Sequence, residues 1–150
     1  MEHVDDSVPM PSAAKYLGYG GVIPFAAMAL NQLVGGPLPV QIAQEVFLYY
    51  SAAILSFLGG IRWGGATRLE TGLSRELVIS VTPSLWAVAC LLLDSPVPSV
   101  WCLLAGFVVM GVADVFRPAP GLALWMRQLR LQLTIAVVIC HLVMAASLHL

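Results

Sequence analysis

VFLYYSAAILSFLGGI, residues 46–61, carries no charge, and Arg62 and Trp63 follow it at once. An uncharged run of this length with an Arg and an amphipathic ring at its end reads as a transmembrane helix meeting an interface. Four further apolar stretches flank it. The expected fold is all-α: an integral membrane bundle of five transmembrane helices over about residues 16–34, 44–66, 77–93, 98–114 and 131–148. A short cytoplasmic interfacial helix, Gly121 to Arg130, is expected before the fifth, because Leu122, Trp125, Met126 and Leu129 recur at helical spacing. Residues 1–150 read as one transmembrane domain without a convincing internal repeat.

Composition agrees. The chain is 59% hydrophobic and 10% charged, with a mean hydropathy of +0.89, against about 25% charged residues in soluble domains. All seven basic residues fall on one side of such a bundle. Lys15 precedes the first span; Arg62, Arg68 and Arg75 lie between the second and third; Arg117, Arg127 and Arg130 lie between the fourth and fifth. Lys and Arg in short loops resist translocation. The N-terminus is therefore expected in the cytoplasm and the C-terminus outside, in a bacterial inner membrane. Met1 to Pro11 reads as a short solvated tail, with neither signal-peptide nor transit-peptide character. Membrane lipids are the expected partners, with other membrane proteins or a second copy of the chain as further ones; nothing points to nucleic acid.

Few residues offer chemistry. Cys90, Cys102 and Cys140 lie in separate spans outside any CxxC pattern and read as small buried thiols. There is no HExxH, P-loop, GxSxG or paired carboxylate at membrane depth, so no catalytic or metal site and no cofactor is expected, and cofactor-binding residues stay unassigned. Ala52, Ser56, Gly60 and Gly64 form a ridge of small residues, read as tight packing inside one protomer in preference to a homodimer seam. Pro24 and Pro83 each free a backbone carbonyl, which reads as a structural kink ahead of a transport site. Ser74 is a candidate N-cap for the third helix.

Arg62 and Asp114 end two spans at similar depth. They read as topology anchors, with an Arg62–Asp114 ion pair as the alternative and Arg117 as a local rival for Asp114. With Trp63, Trp125, Arg127 and Arg130 they make a candidate cytoplasmic-interface cluster. His141 sits near mid-membrane, where an ionisable group is a functional candidate by default. A neutral imidazole bonded to a Ser, Thr or Tyr of a neighbouring helix explains it more simply, since His3 and His149 are terminal.

The segments GYGGVIPF (18–25), YSAAILSFLGGIRWGG (50–65), VTPSLWA (81–87), Asp114 and WMRQLRLQLT (125–134) resemble the transmembrane-protein-69-like family of small multi-span proteins. The resemblance implies that Gly59, Gly60, Trp63, Gly64, Asp114, Trp125 and Arg130 are signature positions of a domain without an assigned function. The chain departs from that pattern at Arg62, where His is commoner, and at Met126, where Tyr is commoner. The expected function is a non-enzymatic membrane scaffold or accessory subunit. A small oligomeric transporter or channel is the alternative, and a haem- or quinone-associated protein using His141 is a third reading.

Overall fold

The computed structural model describes residues 9–149, so residues 1–8 of the expected tail, His3 among them, lie outside the described residues. Six helices follow one another: α1 (Ser12–Gly20), α2 (Ile23–Val34), α3 (Val40–Ala66), α4 (Leu73–Leu91), α5 (Pro96–Phe116) and α6 (Leu124–Ser147). No strand occurs among the described residues.

Helices α1 and α2 form one kinked path. Gly21 and Val22 keep right-handed helical dihedrals. Pro24 lacks the N–H that would bond the carbonyl of Gly20, and it sits in the first turn of α2, where that loss is tolerated. Tyr50 Oη donates to the adjacent carbonyl, that of Gly21, at 2.9 Å, tying the kink to α3. The path ends at Gly35, whose φ of 69° makes a left-handed cap. Asn31 then clamps the turn, its side chain donating to the Leu38 carbonyl and accepting from the Leu38 N–H, both at 3.1 Å.

By length and composition, four stretches are able to cross a membrane: Ser12–Val34, Val40–Ala66, Pro96–Phe116 and Leu124–Ser147. Helix α4, the expected third span, is not among them, since its first turn contains Arg75 and Glu76. Each expected span is preceded by two to seven further helical residues, and only α5 continues past its expected end. Charged residues at a helix end do not stop it, and α3 reaches 27 residues, about 40 Å at 1.5 Å per residue.

Two local expectations are corrected. Residues 124–130 are not a separate interfacial helix but the first turns of α6, because no Gly or Pro interrupts Leu124 to Ser147. The break falls earlier, at Pro118, Pro120 and Gly121, whose φ is 68°. Ser74 does not cap α4; Gly72 does, at a φ of 74°, and no side chain bonds the cap.

Helix α3 is central, packed against α2, α4 and α5, while α6 packs against α2 and α5. Phe25, Phe47, Leu55, Leu103, Phe107 and Met144 fill the middle. Outside, residues such as Phe57, Val78, Leu85 and Val109 are exposed along whole helix faces. A soluble protein does not present apolar surface on that scale, whereas lipid tails solvate it without cost.

Candidate functional site

Two buried ion pairs lie at one end of the bundle, built from the C-terminal ends of α3 and α5, the start of α4 and the start of α6. Arg62, on the last turns of α3, is 2% exposed and is the largest fully buried side chain. Its Nε–H donates to Glu76 Oε2 at 2.9 Å, and Nη1 donates to the backbone carbonyl of Arg117 at 3.0 Å. Both partners suit a cation by position. Glu76 lies in the first turn of α4, where a carboxylate complements the helix dipole. The Arg117 carbonyl caps the end of α5, where no helical N–H remains to bond it. One guanidinium thus ties three helix ends together.

Asp114, in the last turn of α5, stands where the dipole disfavours a carboxylate. Arg130 answers it from the second turn of α6, with Nε donating to Asp114 Oδ2 at 2.9 Å and Nη2 2.7 Å away from the same oxygen. Both side chains are buried, at 5% and 9% exposure. Arg130 Nη1 and Asp114 Oδ1 are left without a partner, and Nη2 is close to Oδ2 as an ion pair without making a hydrogen bond.

An Arg62–Asp114 pair therefore does not form. Each residue has another partner, because α4 brings Glu76 beside Arg62 and α6 brings Arg130 beside Asp114. The Arg117 side chain is exposed and offers only its carbonyl. Glu76 was missed in the sequence because it reads as the end of a polar loop. Its signal was an acid in the first turn of a helix opposite a buried Arg. Of the other candidates, Trp125 is half-buried, Trp63 is 45% exposed and Arg127 is exposed. Arg62, Asp114 and Arg130 are internal clasps, while Trp63 and Arg127 face outward.

The small-residue ridge divides likewise. Ala52 is buried and Ser56 half-buried, its hydroxyl bonded to the Ala52 carbonyl at 2.8 Å. Nothing stands within 4 Å of where a Cβ would sit on Gly60 or Gly64. The close approaches belong to their neighbours. A Cβ on Gly59 would collide with the Ser80 carbonyl and stand 3.4 Å from the Pro83 ring, and one on Gly65 would collide with the Pro120 carbonyl. Gly59 is the notch that receives the Pro83 segment of α4.

His141 is fully buried on α6. Its Nδ1 lies 2.9 Å from the Val137 carbonyl of its own helix, in place of the expected hydroxyl of a neighbouring one. A carbonyl only accepts, so Nδ1 carries the proton and Nε2 presents its lone pair. Nε2 has no partner. The rings of Phe47, Phe107 and Phe25 pack around the imidazole with centroids at 4.7, 5.0 and 5.6 Å. An axial haem ligand needs open space beyond its nitrogen, so this setting does not fit haem. Among the described residues no three of His, Cys, Asp and Glu group as metal ligands, and Cys90, Cys102 and Cys140 are free thiols.

Residues 10–146 match the family described as Protein of unknown function (DUF3429). The chain is also similar to a protein named Transmembrane protein 69 from Xenopus tropicalis, at 34% identity over 85% of this chain and 51% of that protein. The chain thus spans about half the length of that relative. No solved structure matches it.

Proposed function

This chain belongs to the family of proteins of unknown function (DUF3429) and is an integral membrane protein; from that premise we propose that it works as a non-enzymatic accessory or scaffold subunit, holding other membrane proteins at its basic end. One observation carries the reading. The two buried cations are committed to joining helix ends, Arg62 to α4 and α5 and Arg130 to α5, which makes that end a rigid platform. Trp63 and Arg127 remain at its edge, an aromatic and a cation of the kind that anchor interfaces. In this reading all five apolar segments cross, α4 with its charged first turn at the cytoplasmic interface, and the N-terminus is cytoplasmic.

Photo-crosslinking residues placed at Trp63 and Arg127 test it, with position 85, on the exposed face of α4, as the control. The expectation is a reproducible crosslink to a distinct membrane protein from the first two sites and not from the third. A chain that purifies from mild detergent as a partner-free monomer or homo-oligomer, with no such crosslinks, overturns it.

The kinked α1–α2 path keeps a second reading, a small oligomeric transporter, since interrupted helices build transport sites. Proteoliposome flux of protons, metal ions and small metabolites tests it, and silence toward all three counts against it.

A further inference from the structure

The kink at Gly21–Pro24 has a structural effect on the helices around it. Helix α1 rests on α6, while α2 packs against both α3 and α6. The space between α1, α3 and α6 is left as a cavity of about 350 Å³, within the range of about 300–1,000 Å³ common for small-molecule sites. Its walls include Gly18, Phe25, Leu58, Phe107 and Trp125, and its buried charge is Arg130. Apolar residues make up nearly all of the lining, which includes Leu17 and Phe57, both strongly exposed on the outside of the bundle. A molecule entering from the lipid phase would meet no aqueous barrier.

Arg130 is the buried cation beside the cavity, and its guanidinium has unused hydrogen-bonding capacity. Both of its contacts to Asp114 go to Oδ2, so Nη1 is a buried N–H donor with no acceptor. Nη1 is itself closed off from the cavity, so a ligand oxygen reaches it only as the guanidinium turns toward the cavity, and that contact would recover the cost of a buried donor left unmade. The charge of Arg130 is already matched. Asp114 neutralises it, and the carboxylate's second oxygen, itself unpartnered, would repel an incoming anion. A carbonyl oxygen meets the requirement, because it accepts from Nη1 without adding charge.

We propose that this cavity binds an uncharged lipid-soluble molecule whose carbonyl head accepts a hydrogen bond from Arg130 and whose apolar body lies among Phe25, Leu58 and Phe107. Two sources share that chemistry, a quinone ring and the ester carbonyl of a neutral glycerolipid. The proposal does not depend on protein partners, so it stands or falls apart from the accessory role.

The test uses the full chain in detergent micelles and a tritiated decyl-benzoquinone as probe. Saturable binding of one probe per chain is expected. Leu58→Trp should fill the cavity and weaken binding at least ten-fold at an unchanged melting temperature. Val109→Trp, on the lipid-facing side of α5, should leave binding intact. The double variant Arg130→Met with Asp114→Leu exchanges the ion pair for apolar side chains of similar size, a change that buried pairs often tolerate. It should weaken the quinone at least ten-fold but leave carbonyl-free decylbenzene, measured by competition, unaffected. Effective competition by dioctanoylglycerol assigns the site to ester lipids, and poor competition assigns it to quinones. Three results overturn the proposal: decylbenzene competing as well as the quinone, decanoate competing better than either, or Leu58→Trp binding like the unchanged protein.

Discussion

Arg62 shows how much one buried cation can organise. It is closed off from solvent and lipid, and its two bonded nitrogens join α3 to the start of α4 and the end of α5. Removing one partner of such a pair leaves the other buried and unmatched, which costs about 3–5 kcal/mol, whereas removing both costs less. Arg62→Ala and Glu76→Ala should each lower the melting temperature strongly, and the double variant should fall well short of their sum. Additive effects in one detergent would show that the two residues act independently. Arg62→Lys should be intermediate, because an ammonium cannot reproduce the fork that reaches Glu76 and the Arg117 carbonyl together. His141 is a different case. Its one hydrogen bond stays within α6, and its free nitrogen faces phenyl rings. Exchanging such a group for an apolar one of similar shape is nearly neutral, so His141→Leu should change stability by no more than about 1 kcal/mol. A collapse of the fold in His141→Leu would mean that the imidazole bonds to more than Val137.

At the scale of the element, the packing of α3 on α4 rests on a one-residue distinction. Gly59 and Gly60 are adjacent, yet only Gly59 meets the neighbouring backbone. Pro83 prevents α4 from donating a bond at that turn, and its ring and the Ser80 carbonyl enter the notch. A carbonyl in a helix backbone cannot swing aside, so even Gly59→Ala should force α3 and α4 apart and destabilise by roughly 1–3 kcal/mol, the range for overpacking. Gly60→Ala meets open space and gains helix propensity, so it should be neutral or stabilising by up to about 1 kcal/mol. Thermal unfolding of the two variants side by side checks this; equal effects would show that the notch is not closed in the membrane. A period of four in small residues drew attention to Gly60 and Gly64. Which face of α3 turns to a partner depends on where α4 and the Pro118–Gly121 turn lie, and neither is written in α3 itself.

For the whole molecule, short connections and complementary helix ends give an up-and-down arrangement. The proposed five crossings, with the basic end in the cytoplasm, predict that a reporter active only in the cytoplasm is silent at the C-terminus. Strong activity there would mean an even number of crossings or the reverse orientation. The chain by itself determined that it is helical and membrane-bound, where its turns lie within a few residues, and that its basic residues gather at one end. Those properties follow from hydropathy, from Gly and Pro, and from the position of Lys and Arg along the sequence, all of which are local. Tertiary structure decided the rest: Glu76 as the partner of Arg62, Arg130 as the partner of Asp114, the phenyl cage around His141, and the gap beside the Pro24 kink. Pairing between charges of similar depth depends on the rotation and neighbour order of the helices. Those are set by side chains meeting across the bundle, far apart in the chain, and apolar faces of one helix look much alike until another helix covers them.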